Sequence, residues 1–208
     1  MSEIRDVAEL REVMGEPLPR VAAKDRDRLS EMHVRWLEQS AFCVVSTSDA
    51  EGRCDASPKG DPVGRLVHVV DEHTIVLAER PGNRRADGFE NVLVNPHVGL
   101  LFLVAGRGDT LRVNGRARLL RTDDDPPVYL DALEVKGHRP LVVCEVVVEQ
   151  VFFHCSKAFL RSGLWDPTSW EPDAVPSRPE IAHALERSDQ TLEEVRAHYG
   201  PGYDAGLY

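Results

Sequence analysis

Between residues 42 and 153 the sequence is a succession of short apolar segments joined by tight turns, and this feature constrains the fold most. Six or seven strands connected mostly in this way predict an antiparallel barrel, because parallel strands need long crossover connections. Two pairs of these segments flank short turns and are typical of β-hairpins. The predicted strands are Phe42–Thr47, Arg53–Ser57, Leu66–Val70, Thr74–Ala78, Val98–Val104, Thr110–Leu120 and Leu141–Phe153.

The last two strands have the clearest patterns. Apolar and polar residues alternate along Thr110–Leu120, which predicts one buried and one exposed face. The inward residues are predicted to be Leu111, Val113, Ala117 and Leu119, and the outward ones Arg112, Asn114, Arg116 and Arg118. Leu141–Phe153 is apolar on both faces, which favours a central position in the sheet.

Helical periodicity lies mainly outside this region. The predicted helices are Ile4–Met14, Lys24–Gln39, Pro126–Leu133 and Pro179–Tyr199. Residues 1–40 are therefore interpreted as N-terminal helices packed on the barrel, 41–165 as the barrel, and 166–208 as an extension with a helix. Together they predict a single domain, mainly β with peripheral helices (α+β).

Charge and composition narrow the function. The formal net charge of −10 argues against nucleic acid or an anionic membrane as a partner. No apolar stretch is long enough to span a bilayer and the first ten residues lack an apolar signal core, so a cytoplasmic location is the simplest interpretation. The four cysteines form no CxxC pair and are expected to be thiols.

A basic turn is the most informative local feature. Arg80, Asn83, Arg84 and Arg85 follow the strand Thr74–Ala78 and precede a helical pattern that is predicted to begin near Arg84. Asn83 is a suitable N-cap, and backbone N–H groups at a helix start together with arginines favour a phosphate. A solvated basic turn is the alternative. Arginines at a helix start are unfavourable without a bound anion, which favours phosphate.

Two further segments carry candidate ligands. At Ser57, Pro58, Lys59 and Gly60, the proline and glycine predict that strand pairing fails, freeing backbone groups for a flat heterocycle. An ordinary surface turn is the alternative there. Lys157 and Arg161 lie four residues apart on a predicted helix, where they can share an anion or form salt bridges with acidic residues.

No metal site is predicted. His154 and Cys155 are adjacent, so on a strand their side chains point to opposite faces and cannot easily share a metal. The other histidines show no i,i+4 ligand pairing, and no phosphate-binding glycine loop or nucleophile elbow is present.

The order of strand, basic turn, helix, Asn95-Pro96 and apolar strand resembles the pyridoxamine 5′-phosphate oxidase-related family of FMN-binding split β-barrels. In that family a Ser/Asn-Arg-Lys turn holds the FMN phosphate, and Asn83, Arg84 and Arg85 match it. The motifs Arg-Pro-Gly-Asn-Arg-Arg and Leu-Arg-Ser-x-Leu-Trp are similar to those of an unassigned bacterial subgroup. The substrate signature Arg-x-His-x-x-Arg of the oxidases themselves is absent.

The resemblance implies a homodimer with FMN at the interface and an oxidoreductase acting on a small molecule. The residues it implies at the cofactor are Ser57, Pro58, Lys59, Gly60, Arg80, Asn83, Arg84, Arg85, Thr110, Lys157, Arg161 and Trp165. Thr110 matches a glutamine that reaches the ring from the partner subunit, and His154 replaces a tryptophan that helps enclose the flavin. Two alternatives stay open: a deazaflavin or haem protein, with His154 as the candidate axial ligand, and a non-catalytic flavin-binding or sensory module.

Overall fold

The computed structural model describes residues 2–80, 82, 84–123 and 127–208. Within them, seven strands form one antiparallel sheet in the order β2-β1-β5-β6-β7-β4-β3. The strands are β1 (Phe42–Ser48), β2 (Cys54–Gly60), β3 (Val67–Asp71), β4 (Thr74–Ala78), β5 (His97–Leu103), β6 (Thr110–Arg121) and β7 (Val142–His154). The helices are α1 (Val7–Met14), α2 (Pro19–Ala22), α3 (Glu31–Gln39), α4 (Asp87–Val94), α5 (Lys157–Ser162), α6 (Arg178–Leu185) and α7 (Leu192–His198). Both predicted hairpins and the central position of β7 are confirmed.

The sheet curls around one apolar core, to which every strand except β2 contributes, and α3 covers it from one side. Its largest fully buried side chains include Phe102, Leu37 and Ile75. The two ends of the curled sheet are joined by side chains rather than by strand pairing. Lys59 of β2 contacts Glu79, which follows β4, at 2.6 Å. This is the split-barrel arrangement of an α+β fold, as predicted.

The long strand β6 carries the alternation predicted from the sequence. Leu111, Val113 and Ala117 are buried, while Arg116 and Arg118 on the opposite face are exposed. The register of β6 against β7 shifts between Asn114 and Gly115. Such a bulge bends the strand and increases its twist, which suits a sheet that closes into a barrel.

The predicted helix over Lys24–Gln39 is wrong in its first turns, because α3 begins at Glu31. The preceding segment pairs with the sheet instead: Arg26 and Val151 exchange two backbone hydrogen bonds, of 3.1 and 2.8 Å. Ser30 then caps α3 in a capping box with His33. Pairing with the edge of β7 satisfies backbone groups that a longer helix would otherwise satisfy internally.

Other predicted helices also differ from the structure. In place of a helix over Pro126–Leu133 there is a 3₁₀ turn at Leu130–Leu133, and Pro126 lies outside the described residues. The pattern over Pro179–Tyr199 divides into α6 and α7, which begin at capping boxes headed by Ser177 and Thr191. α6 and α7 contain the buried residues Ala182 and Val195, respectively. No helix in the described ranges is both long and apolar enough to cross a membrane.

The cysteines divide into two buried and two exposed thiols. Burial raises the pKa of Cys43 and Cys144 to about 12, so neither supplies much thiolate near neutral pH. Cys54 and Cys155 are exposed, and a hydrogen bond from the backbone N–H of Lys157 lowers the pKa of Cys155.

We therefore expect Ellman's reagent to modify two thiols per chain in the folded protein and four after unfolding in guanidinium chloride. Cys155 should react readily, because its lowered pKa increases the fraction of thiolate. Absorbance of the released thiolate measures both numbers, and a Cys54→Ser, Cys155→Ser variant is the matched control. A third thiol that reacts at the same rate as these two in the folded chain would contradict the buried placement.

Candidate functional site

A groove opens where β2 passes the end of β4 and the segment that leads into α4. Its volume is about 420 Å³, within the range of sites that hold a small molecule or cofactor. The lining residues are Asp55, Ala56, Ser57, Pro58, Lys59, Glu79, Arg85 and Asp87. The groove therefore brings together two of the segments that the sequence singled out, which are more than twenty residues apart along the chain.

The prediction that strand pairing fails at Ser57–Gly60 is wrong. β2 stays in register with β1 through Gly60, and Pro58 lies opposite Val44. The Asp61 N–H donates to the Ala41 carbonyl, so these two residues form a hydrogen-bonded pair between the strands. Hydrogen-bonded and non-hydrogen-bonded residue pairs alternate along an antiparallel ladder, and the Pro58 nitrogen therefore points away from β1. Proline is tolerated there because β2 is an edge strand.

The sequence predicted that backbone groups of Ser57–Gly60 would be left unpaired because strand pairing fails. In the structure such groups are available because β2 is an edge strand. The same alternation directs the N–H and C=O groups of Ala56 and Gly60, and the C=O of Pro58, away from β1. Ser57 and Lys59 are less exposed than these neighbours, on the face of β2 that turns towards α4. A planar heterocycle can therefore meet backbone donors and acceptors along this edge.

The helix after the basic turn begins at Asp87, later than predicted. Arg84 and Arg85 lie in the preceding segment, both exposed, and Asn83 lies outside the described residues. The Arg85 Nε donates to Asp87 at 2.6 Å, and this contact raises the pKa of the Arg85 guanidinium. An acidic side chain in the first turn complements the helix dipole, which explains why the helix starts there.

Arg84 has a left-handed backbone, with φ at 61°. A residue with a Cβ atom adopts this conformation at a cost of order 1 kcal/mol, and such residues often occur at ligand sites. The backbone of Arg84 is therefore in a conformation that its residue type does not favour, next to Arg85, which lines the groove.

Helix α4 is fixed against the floor of the groove by residues that the sequence analysis missed. Asn91 donates to Thr47 Oγ1 at 3.1 Å and to Asp55 Oδ2 at 2.7 Å. The helix backbone passes close to β1 here, since a Cβ atom at Gly88 would lie 3.4 Å from Thr47 Oγ1. No spacing in the sequence signals these contacts, because they join α4 to two strands about 40 residues earlier.

Lys59 and Arg80 have carboxylate partners within the chain. The Lys59 ammonium, which lies 5.1 Å from the centre of the Phe89 ring, is paired with Glu79. Arg80 turns inward: its Nε donates to both Asp61 oxygens at 2.9 and 3.1 Å, and its Nη2 donates to the Leu133 carbonyl at 2.7 Å. The assignment of Arg80 to a phosphate stays a prediction, and the structure gives this side chain a structural ion pair.

The remaining predicted ligands do not line this groove. Lys157 and Arg161 lie on α5, and Trp165 follows it and donates through Nε1 to the Arg107 carbonyl at 2.8 Å in the β5–β6 loop. Thr110, at the start of β6, is 3% exposed and lies opposite His154. Within one chain, these residues form a second region where β6 begins and β7 ends.

A larger concavity, of about 580 Å³, lies on the outer face of β1, β2, β5 and β6. Small side chains such as Ser46, Ala56 and Gly99 line it, and no lysine or arginine does. The smaller groove beside Arg85 is therefore the better candidate for a phosphorylated ligand. Among the described residues, no group of three or more His, Cys, Asp or Glu side chains could hold a metal ion.

Residues 29–155, more than half of the chain, match the family described as pyridoxamine 5′-phosphate oxidase. No curated protein sequence matches the chain.

Several solved structures resemble part of the chain at low sequence identity. HupZ of Group A Streptococcus is 20% identical, with a TM-score of 0.46 over 60% of this chain and 93% of its own. A Clostridium acetobutylicum protein related to general stress protein 26 is 16% identical, with a TM-score of 0.43 over 61% and 90%. An FMN-binding protein from Syntrophomonas wolfei is 14% identical, with a TM-score of 0.41 over 60% and 90%.

Proposed function

Because the chain belongs to the pyridoxamine 5′-phosphate oxidase family, we propose that it is an FMN-dependent oxidoreductase that acts on a small molecule. The observation that carries this proposal is the groove that joins Arg85, at the end of the arginine turn, to the edge strand β2. A flavin mononucleotide needs both features, because it carries a dianionic phosphate and a flat ring with hydrogen-bonding groups along its edge.

Arg84 and Arg85 would hold the phosphate. Guanidinium groups suit this role because they bind phosphate oxygens in a bidentate manner and keep their charge at any physiological pH. Arg85 already lies against the groove, where its contact with Asp87 orients the guanidinium. Asn83, as implied by the family resemblance, would add a polar contact from the same turn.

The edge of β2 would hold the ring. The unpaired groups of Ala56, Pro58 and Gly60 offer donors and acceptors in one line, and the Ser57 hydroxyl adds another beside the groove. The Lys59–Glu79 pair contributes two compensated charges beneath it. When bound, FMN supplies the hydride-accepting chemistry, while this chain positions the ring and shields one side of it from water.

A homodimer would complete the site. Thr110, Lys157, Arg161 and Trp165 do not line the groove, and in a homodimer these residues of the second copy would contact the flavin. The family resemblance implies such an arrangement, with each cofactor bound between two subunits. Sedimentation of the flavin-loaded protein should then give twice the chain mass of 23.2 kDa.

The test of the phosphate site is the Arg84→Ala, Arg85→Ala double variant. It should bind FMN at least about tenfold more weakly, because each charge-assisted hydrogen bond contributes about 1.5–3 kcal/mol. Quenching of flavin fluorescence on addition of protein gives the affinity. Arg53→Ala is the matched control, since Arg53 is an exposed arginine paired with Asp49 in the β1–β2 turn.

Unchanged FMN affinity in the double variant would overturn the assignment of the phosphate. Parallel titrations of the wild-type protein with a deazaflavin and with haem separate the alternatives. Preference for haem, with a spectrum that depends on His154, would replace the proposed cofactor. Bound FMN that is reduced by neither NADH nor NADPH would favour a non-catalytic flavin-binding module.

A further inference from the structure

A second cationic region surrounds Phe152 on the outer face of the sheet, away from the groove. We name Lys24, Arg112, Phe152 and His154 the Phe152 patch. The Lys24 Nζ lies 4.4 Å from the centre of the Phe152 ring and the Arg112 Cζ lies 4.3 Å from it. The imidazole of His154 lies 4.9 Å from the same ring. Two permanent cations and one titratable group thus share a single aromatic side chain that is only 6% exposed.

Among the described residues, the cations of this patch have no anionic partner. Arg112 Nε is buried without a hydrogen-bond partner, and Lys24 donates to the Phe153 carbonyl at 2.9 Å. In the described part of the chain, no carboxylate lies within 4 Å of either cation. A buried donor without an acceptor costs about 1–3 kcal/mol, and more when the group is charged. Cation–π contact with Phe152 offsets part of this cost but leaves the Nε–H unsatisfied.

Comparison with the same face of β6 shows that this arrangement is specific to Arg112. Arg116 has His97 as a partner at 3.0 Å, and Arg118 has Glu145 at 2.6 Å. The acidic residue next to Lys24, Asp25, accepts a hydrogen bond from Gln150 at 2.5 Å and forms no ion pair with Lys24. The carboxylate of Asp25 therefore does not neutralise the Phe152 patch, although Asp25 is next to Lys24 in the chain.

The pKa of His154 is affected by the positive charges of the patch. Its pKa is lowered by burial first, and then by the positive charges of Arg112 and Lys24. Lys24 and Lys157 also act on the neighbouring Cys155, so the positive region extends to the start of α5. An imidazole that stays neutral near pH 7 can donate one N–H to an anion without adding a third charge.

We propose that the Phe152 patch is a binding site for an oxyanion of the phosphate type. The Arg112 guanidinium and the Lys24 ammonium would be its charged donors, and His154 would lie at its edge. Two molecules carry an oxyanion of this kind. One is a cofactor held mainly by a second copy of the chain, which would place its phosphate here, and the other is a substrate with an anionic group. Binding here does not require that the groove beside Arg85 hold FMN.

The experiment uses flavin-free protein and inorganic phosphate as the probe. The C2 proton of His154, identified by its loss in His154→Gln, is titrated by NMR in phosphate and in chloride at equal ionic strength. A bound anion favours the imidazolium, so phosphate should raise the His154 pKa by about half a unit or more. In Arg112→Gln, the pKa in chloride should already be higher, because a cation is removed, and phosphate should then change it little.

Arg116→Gln is the matched control, since Arg116 lies four residues along the same strand and is exposed. It should keep the full phosphate response. Lys24→Met provides a second variant should Arg112→Gln fail to fold, and it too should lose the response. A phosphate effect of equal size in wild type, Arg112→Gln and Lys24→Met would overturn the proposal, as would no effect in wild type.

Repeating the titration on FMN-loaded protein separates the two sources of the anion. Loss of the phosphate response after loading assigns the patch to the cofactor, whereas a retained response assigns it to a substrate anion. The Arg84→Ala, Arg85→Ala variant should keep the response in flavin-free protein. Failure of the proposed phosphate contact in the groove therefore leaves this result unaffected, and the two proposals can fail separately.

Discussion

Gly115→Ala is expected to destabilise the folded chain by more than about 3 kcal/mol, because it places a Cβ atom inside the backbone of β7. That atom would lie 2.0 Å from the carbonyl oxygen of Val147 and 3.0 Å from its carbon. β7 cannot move aside easily, since Val147 is paired with β6 on one side and with Thr74 of β4 on the other. Urea unfolding followed by circular dichroism measures the loss.

Gly99→Ala is the matched control on the adjacent strand β5. Its Cβ atom would meet Asn114 Oδ1 at 3.4 Å and Ser46 Cβ at 3.9 Å, both side-chain atoms. We expect a change within about 1 kcal/mol for this variant. Equal urea midpoints for Gly115→Ala and wild type would show that the bulge between β6 and β7 is not packed as described.

The second large effect is expected at the Asp61–Arg80 pair, which helps to close the barrel. Its side chains are only 2% and 13% exposed, and Tyr208 adds a hydrogen bond to Asp61 at 3.0 Å. Asp61→Ala or Arg80→Met should each cost about 3–5 kcal/mol, because either change leaves the other charge buried without its partner. Chemical denaturation gives the free energy of unfolding of both variants.

The double variant Asp61→Ala, Arg80→Met tests the reason for this effect. Since it leaves no uncompensated charge, it should be more stable than the sum of the two single losses predicts. Arg53→Ala, which breaks an exposed pair, should cost less than about 1 kcal/mol. Additive losses in the double variant would contradict the ion-pair explanation.

FMN affinity of Arg80→Met, measured under conditions where it is folded, also tests whether Arg80 contacts a phosphate.

Some elements of the fold were accessible from local sequence patterns. The alternation along β6 and the apolar run of β7 predict their faces and the central position of β7, because side chains on a strand alternate with period two. The first residues of the helices were harder to predict from the sequence. α3 begins at Glu31 because Arg26 pairs with Val151, more than a hundred residues away, and α4 begins at Asp87 beyond the predicted arginines.

The candidate site was also predicted only in part from the sequence. The sequence indicated Arg85 and the Ser57–Gly60 segment, and the structure places both at one groove. It did not indicate that Pro58 stays within a paired edge strand, since this depends on having no strand beyond β2.

The strand pattern, the basic turn and the family resemblance could be predicted from the amino-acid sequence, because they depend on periodicity and on neighbouring residues. Which charges are compensated could not be predicted in this way. Arg80 pairs with Asp61 and Lys59 pairs with Glu79 across the split of the barrel, while Arg112 lies beside Phe152 with no carboxylate partner among the described residues. An ion pair depends on the distance between two side chains, and the closure of the sheet sets that distance.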